Sequence, residues 1–401
     1  MKINKGYKFR IYPTCNQKIA FKQSFGACRF IYNYLLDVRS KSWKEHKISI
    51  SCFESIKMLP VLKKSYLWLK DINSQSLQQT VINLEAAFQR FFKKVSGAKY
   101  PQFKKKRDNH QSFTVPQSFS LTASKRGNWF LTIPKLKGKI KVKAHREVLG
   151  SIKTAIISRN PDGNYYVAFS VEVEHQPQEK TVSKEVGIDL GLKDFLVTSE
   201  GVKLKPSKYY RLLERKLKGK QRDLSRRKIS SSNWTKIKHK IAVLHQKITN
   251  QRNNFLHKIS SKLVHENQII YVEDLNVKGM MKNRKLAKSI ADVGWGEFGR
   301  QLKYKGLWYN TSIVKIGRFE PSSKLCSGCG YKNMDLKLSD RVWICPICGI
   351  QHDRDINAAV NIKKIGQDMP NSKSVEKSTS VFSLKKRQAG SVKQKPIPKL
   401  S

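Results

Sequence analysis

The chain has 401 residues, of which 80 are Lys or Arg and 29 Asp or Glu, a formal net charge of +51. A compact chain this basic repels itself unless it spends much of its life on a polyanion, either nucleic acid or an acidic membrane surface. Hydrophobic residues at 39%, with 18 Phe and 14 Tyr, exclude a purely disordered basic tail and allow two or three packed units. No run of about 18 apolar residues is present, so no membrane span is expected. The opening MKINKGYKFRIYP has no apolar h-region and no small-residue cleavage site, so no signal peptide is expected. Seven cysteines, an odd number, argue for a reducing compartment over a disulfide framework.

In chain order, residues 3–12 alternate as a short strand ending at Pro13. Phe21, Phe25, Cys28, Tyr32 and Leu35 then mark one face of a helix over 16–37. Leu77, Val81, Leu84, Phe88 and Phe91 mark a second helix over about 74–94, with Ser74 as its expected N-cap. Both stripes read as packing surface. Residues 95–110 break the pattern with Gly and Pro and set five basic residues near two aromatics. From 111 to 177 short strands alternate with Gly, Pro and Asn: NWFLTIPKL, IKVKAHREV, KTAIISRN and YYVAFSVEVE. They suggest a small β-barrel or sandwich, completed by the N-terminal strand with the helices inserted between. VGIDLGL (186–192) opens a new unit, with DFLVTSEG as its hairpin partner. Tyr209–Lys228 carries nine basic and two acidic residues, and Trp234, Ile237, Ile241, Leu244, Ile248, Phe255 and Ile259 keep a helical rhythm after it. Two antiparallel helices are the simplest reading. QIIYVEDL (268–275) is a buried strand, and DINAAVNIKKIG (355–366) a final helix. Beyond about 368 the chain is Ser, Lys, Gln and Pro, and disorder is expected.

Two features carry chemistry. Cys326 and Cys329 are separated by 15 residues from Cys345 and Cys348, the spacing of a four-cysteine zinc site. Four thiolates close a tetrahedron and leave no open position, so a zinc there is structural. Cys15, Cys28 and Cys52 show no pairing and read as small core residues. In a chain so poor in acid, Asp189 and Glu273 end apolar strand patterns and Asp355 opens a helix. Taken alone, Asp355 reads best as a helix cap. Taken together, the three repel, and divalent cations offset that cost. Hard carboxylate oxygens suit magnesium or manganese, and a pair of such ions ~3.5–4 Å apart serves phosphodiester cleavage.

VGIDLGLKDF, YVEDLNVKGM, KSIADVGWGEF, FEPSSKLCSGCG and CPICGIQHDRDINAAVNI resemble the TnpB family of RNA-guided nucleases of insertion sequences, related to the small type V CRISPR effectors. FRIYPT, ACRFIYNYLL, LQQTVINLEAAFQRFF and PQFKKKR extend the resemblance over roughly residues 3–366. It implies an α+β multi-domain fold. A β-barrel (1–15 and 111–180) would carry a helical insertion (16–110). A RuvC-like, RNase H-type nuclease domain (181–315 and 350–367) would be interrupted by a zinc ribbon (316–349), with a tail from 368 to 401. It implies catalytic, magnesium-binding acids at Asp189, Glu273 and Asp355, with Asp353 a neighbour of the site. It also implies an element-derived guide RNA that reads a double-stranded DNA target, with the protein reading a short adjacent motif. No membrane partner is implied, and the protein would act as a monomer in the cytoplasm of a prokaryote, associated with the nucleoid.

Basic residues on phosphate give affinity without sequence. The candidates are Lys104, Lys105, Lys106 and Arg107, and Arg211, Arg215, Arg226 and Arg227 on the Tyr209–Lys228 helix, unless these are simply solvated faces. Tyr100, Phe103, Tyr209 and Tyr210 could stack on bases or pack in the core. Through the resemblance, Gln78 is a candidate for reading the adjacent motif, since glutamine pairs with adenine edges. Trp295 reads as packing, and His352 as a bystander to a zinc shell already closed by four thiolates. The competing readings are a guide-directed DNA-binding repressor and a guide-independent transposase. Intact acids weigh against the first, and activity without RNA would mark the second. Because the tail lacks apolar periodicity, a chain ending at residue 370 is expected to keep guided cleavage in vitro; lost cutting with RNA binding intact contradicts this.

Overall fold

The computed structural model describes residues 2–95, 97–106, 111–174, 183–206, 209–318, 320–337 and 339–369. They fall into two units, one drawn from 1–182, 205–266 and 277–311, the other from 183–204, 267–276 and 312 onward.

The first unit begins with strand β1 (Lys2–Tyr12), whose Ile3, Tyr7, Phe9 and Ile11 are buried in the alternation the sequence shows. Thr14 and Gln17 form a reciprocal capping box that starts helix α1 (Cys15–His46). Phe21, Phe25, Cys28, Tyr32 and Leu35 are all buried on it, and it runs nine residues past the expected end at 37. Helix α2 (Cys52–Ser65) and a 3-10 turn (Leu67–Asp71) lead to α3 (Ser74–Phe92). The cap of α3 is Asn73, which accepts from the Gln75 amide at 3.1 Å; the Ser74 hydroxyl instead accepts from the Lys63 ammonium. Six strands follow: β2 (Gln111–Val115), β3 (Ser120–Ala123), β4 (Trp129–Thr132), β5 (Ile140–Lys143), β6 (Ser151–Arg159) and β7 (Tyr165–Glu174).

With β1 they form one antiparallel sheet in the order β2-β6-β7-β1-β5-β4-β3, a half-barrel with β2 and β3 at its ends. The N-terminal strand thus sits centrally, paired with β7 from Lys2↔Glu174 to Ile11↔Tyr165, and α1–α3 are inserted before the rest of the sheet. Phe21 and Phe25 of α1 meet Phe113 of β2 at ring distances of 5.8 and 5.5 Å, so helices and sheet share a core. Cys28 is buried in that core and Cys52 half-buried against it. Cys15, at the first turn of α1, is exposed, which corrects its reading as a core residue.

Helices α4 (Tyr209–Ser225) and α5 (Ser232–Glu266) are antiparallel: Tyr209, at the start of α4, meets Phe255, late in α5, at 6.4 Å. Helices α6 (Val277–Met280), α7 (Ala287–Val293) and α8 (Trp295–Tyr309) complete the unit, with Trp295 buried.

The second unit holds β8 (Glu185–Asp189), β9 (Leu196–Thr198), β10 (Lys203–Leu204), β11 (Ile269–Glu273) and β12 (Ser312–Ile316). Their order is β10-β9-β8-β11-β12: antiparallel from β10 to β8, parallel from β8 to β12. A hairpin of β13 (Val342–Ile344) and β14 (Gln351–Asp353) leads into α9 (Arg354–Asp368). Helix α9 lies on the sheet so closely that only glycine fits beneath it. A Cβ on Gly187 of β8 would come within 2.2 Å of the Ala359 carbonyl oxygen, and one on Gly366 within 2.1 Å of the Tyr271 ring.

The expected tail lies, from residue 370, outside the described residues, as does part of the expected barrel at 175–180. Among the described residues no helix is long and apolar enough to cross a membrane. Gly187→Ala is expected to loosen α9 from β8 despite the better strand propensity of alanine. Backbone has nowhere to go, so the cost should reach the upper end of overpacking, about 3 kcal/mol. A lowered melting temperature with faster proteolysis within 312–369 checks this.

Candidate active site and metal centre

Strands β8 and β11 are parallel neighbours with Ile188 opposite Val272, so the next residues along, Asp189 and Glu273, emerge side by side at their carboxyl ends. Asp355 stands in the first turn of α9, the helix packed on β8. Asp189 feels the other two. Burial first, then the negative charges of Glu273 and Asp355, push the Asp189 carboxyl up to about 7. Such crowding is costly without a cation, and an all-carboxylate donor set is the kind that holds magnesium or manganese.

The neighbouring acids are engaged elsewhere. Asp353 caps α9, accepting from the amides of Asp355 at 3.2 Å and Ile356 at 3.1 Å, and pairs with Lys203 at 2.6 Å. Those contacts hold its carboxyl below the usual range, against the opposing effect of burial. Capping, the best reading of Asp355 taken alone, is thus done by Asp353. Asp274 pairs with Lys315 and Arg318, at 2.9 and 2.8 Å. Asp355 lies 3.3 Å from the Arg341 guanidinium, and Glu273 accepts from the buried Ser322 hydroxyl at 2.6 Å.

The cysteine module is built from two matching turns. Gly330 donates to the Cys326 carbonyl and Gly349 to the Cys345 carbonyl, both at 2.9 Å, and both glycines take positive φ. Their backbones need that left-handed region, which glycine enters without a Cβ penalty. All four sulfurs lie within 4.8 Å of one another, with Cys326–Cys348 at 3.5 Å and Cys329–Cys345 at 3.6 Å. A tetrahedron with bonds of about 2.3 Å has edges of about 3.8 Å, so the cluster fits zinc. His352 Nε2 lies 3.0 Å from Cys326 Sγ and its ring packs on Trp343, so it partners one sulfur from outside the shell.

Helix α9 also ties this module to the acids, through two residues that the sequence reading missed. Asn357 and Asn361, one turn apart and buried, both donate to the Leu325 carbonyl, at 2.6 and 2.7 Å. Asn357 also accepts from the Ser327 amide at 2.9 Å, and Asn361 donates to the Ser322 carbonyl at 2.7 Å. One helix face thus fixes the first cysteine turn and the serine that holds Glu273. The i, i+4 spacing of Asn357 and Asn361 was the available signal, since buried amides need partners.

Of the nucleic-acid candidates, Gln78 is exposed on α3, Lys104, Lys105 and Lys106 are exposed, and Arg107 lies outside the described residues. Arg211, Arg215, Arg226 and Arg227 are exposed on α4 and the turn after it. The two acids of α4 are neutralised locally, Glu214 by Lys218 and Lys288 and Asp223 by Lys220. Tyr100 meets Phe88 and Phe91 edge-on, at 5.6 and 5.4 Å.

Comparison with known proteins places the chain. Residues 168–284 match a family model described as "Probable transposase", 295–362 one described as "Cas12f1-like, TNB domain", and 1–47 one described as "Helix-turn-helix domain". A Streptomyces pristinaespiralis protein named "Putative RNA-guided DNA endonuclease" is 36% identical over 91% of this chain and 90% of its own. Escherichia coli K12 "Putative RNA-guided DNA endonuclease InsQ" is 31% identical over 91% and 93%. A mimivirus "TnpB-like protein L79" is 23% identical over 90% and 72%. The chain belongs to the TnpB family. The fold agrees with that membership. A structure of a Cas12f1-sgRNA-target DNA complex matches with a TM-score of 0.58 at 14% identity, over 90% of this chain and 99% of the other. The structure of the mini-RNA-guided endonuclease CRISPR-Cas_phi3 matches with a TM-score of 0.52 at 9% identity, over 91% and 92%. The TnpB-family chain described here has an α+β fold with a half-barrel and a four-cysteine cluster. Where the helix-turn-helix model matches, it has a strand and one 32-residue helix.

Two outcomes follow from the geometry. A Cys326→Ser/Cys345→Ser variant is expected to lose its zinc by metal analysis and the fold of 322–352 with it, because binding energy is folding energy in such a module. Asp189 keeps its proton in the folded chain to about pH 7 but loses it near pH 4 when unfolded. At this one carboxyl the folded state therefore binds more protons between those values, so the contribution of Asp189 to metal-free stability falls as pH rises from about 4 to about 7. Asp189→Asn is expected to raise the melting temperature in EDTA at pH 8 and to flatten that fall.

Proposed function

We propose that the chain is an RNA-guided endonuclease that cuts double-stranded DNA beside a short motif by hydrolysing phosphodiester bonds. The observation that carries this reading is that Asp189 and Glu273 lie at the carboxyl ends of neighbouring parallel strands, where open α/β sheets bind ligands, with the Asp355 charge near enough to act on Asp189. A chain of charge +51 has no other evident use for three repelling carboxylates facing polyanions. The five-stranded sheet with α9 is the core of a RuvC-like domain, proposed at 181–315 and 350–367, and the cysteine module is a ribbon at 316–349 on the target strand. The half-barrel, completed as a barrel over 1–15 and 111–180, acts as a wedge, and 16–110 is a recognition insert that brings Gln78 to the adjacent motif.

Asp189, Glu273 and Asp355 would hold magnesium or manganese, which when bound supplies the Lewis acidity that hydrolysis of a phosphodiester needs. The chain's own residues do the rest. Ser322 fixes the rotamer of Glu273, the Gly187 contact sets the height of Asp355 over Asp189, and Arg341 offers positive charge beside the acids. Cys326, Cys329, Cys345 and Cys348 would hold one structural zinc. Lys104–Arg107 and Arg211, Arg215, Arg226 and Arg227 would bind phosphates of guide RNA and target. A single such site would cut the two strands in turn, and the exchange of DNA pairing for RNA–DNA pairing needs no ATP.

The test is purified protein with its native RNA, magnesium and a plasmid bearing a matched target. Nicked plasmid should precede linear product, and a scrambled guide should stop both. Asp189→Ala or Asp355→Ala should reduce cutting to background with RNA and target still bound. Asp353→Asn, which preserves the cap, should keep cutting within a few-fold. Equal cutting without RNA contradicts the guided reading, and a dead Asp353→Asn with an active Asp355→Ala contradicts the assignment of the acids.

A further inference from the structure

Helix α1 carries a glycine that its packing does not require. Gly26 lies in the helix interior, where glycine is less stable than alanine. A Cβ there would meet only the flexible end of Arg29, at 3.9 Å. Its bare backbone instead floors an open groove of about 390 Å³ along one face of α1, lined by Arg29, Phe30, Asn33 and Tyr34, a volume within the ~300–1,000 Å³ of small-ligand sites.

Phe30 is the hub of an aromatic cluster, its ring 4.9 Å from Tyr66, 5.4 Å from Trp68 and 5.9 Å from Tyr34. Trp68 is 46% exposed and Tyr34 and Tyr66 each 37%, so these rings are open to solvent as well as packed on each other. Asn33 binds the backbone of Lys104 twice, donating to its carbonyl at 2.9 Å and accepting from its amide at 2.8 Å. The Lys104 ammonium lies 4.0 Å over the Tyr32 ring. The exposed basic run Lys104–Lys106 is therefore fastened beside the groove.

We propose that this groove binds an unpaired nucleotide of the bound RNA, with the base on the Phe30–Trp68 cluster above Gly26 and the flanking phosphates toward Arg29 and Lys104–Lys106. Aromatic faces and guanidinium planes take splayed-out bases, and a fixed row of lysines takes the backbone that carries them. RNA is the strand chosen because a folded RNA displays unpaired bases for the whole life of the complex, whereas the target DNA is unpaired only once opened. The proposal rests on the RNA-guided reading and adds a base-binding site to it.

Gly26→Leu fills the floor, its Cβ meeting only the flexible end of Arg29, and should melt no lower than the parent chain. The experiment is ultraviolet cross-linking of the copurified, high-salt-washed protein–RNA complex, with the cross-linked peptides mapped by mass spectrometry. A ribonucleotide is expected on the peptides carrying Phe30, Tyr34 or Trp68, and Gly26→Leu should remove that cross-link while leaving those elsewhere. It should also weaken the native RNA by about 5- to 150-fold, the range of one stacked base, with an unchanged slope of affinity against salt, because no phosphate contact is lost. A complex that cuts in a guided manner but shows no cross-link in the groove, or the same one in Gly26→Leu, overturns the site and leaves the proposed function standing. A cross-link to target DNA alone overturns the RNA assignment. Absence of any copurifying RNA overturns both.

Discussion

Burial and the charges of Glu273 and Asp355 raise the cost of ionising Asp189, and the second unit is arranged around holding it there in spite of that. The sheet supplies two of the three acids by parallel pairing of β8 and β11, a geometry that needs no side-chain contact to set the spacing. The third is delivered by α9, and its height depends on the missing Cβ atoms of Gly187 and Gly366. An alanine at either place would lift the helix, and Asp355 with it.

Through Asn357 and Asn361 the same helix fastens the first cysteine turn and, by way of Ser322, the Glu273 carboxyl. The cysteine cluster and the acid cluster are therefore one mechanical assembly with α9 at its centre. The cysteine module therefore matters to the acids although it lies outside them, since its unfolding would release Ser322 and Arg341 from Glu273 and Asp355. Positive charge is distributed with the same economy. Asp274, Asp353 and Glu214 are each paired with lysine or arginine, and the net charge of +51 remains in large excess over such pairs.

Much of this was legible in the sequence because each signal rests on one local rule. Period-two alternation gave β1 and β7, and the paired cysteines gave a cluster that folds as such. Apolar runs ending in acid gave Asp189 and Glu273 at strand ends. What was not legible depends on tertiary context. Helix α2 has Pro60 in its interior and no clean stripe, α1 outlasts its apolar face, and a choice between Asn73 and Ser74 as cap turns on where one backbone angle falls. Asp353 and Asp355 differ by two positions, and only the folded turn separates the cap from the acid at the cluster. The pairing of Asn33 with Lys104 spans 71 residues, beyond any pattern rule.

If the three acids form one site, a divalent cation would relieve the repulsion that holds the proton on Asp189. Calorimetric titration of magnesium into RNA-free protein, in buffers of different ionisation enthalpy, counts the protons released on binding. Asp189 is protonated below about pH 7, so binding at about pH 6 should release close to one proton and binding at about pH 9 almost none, with the difference absent in Asp189→Asn. Magnesium binding with the same proton count at both pH values, or binding that survives in Asp189→Asn unchanged, would contradict the account.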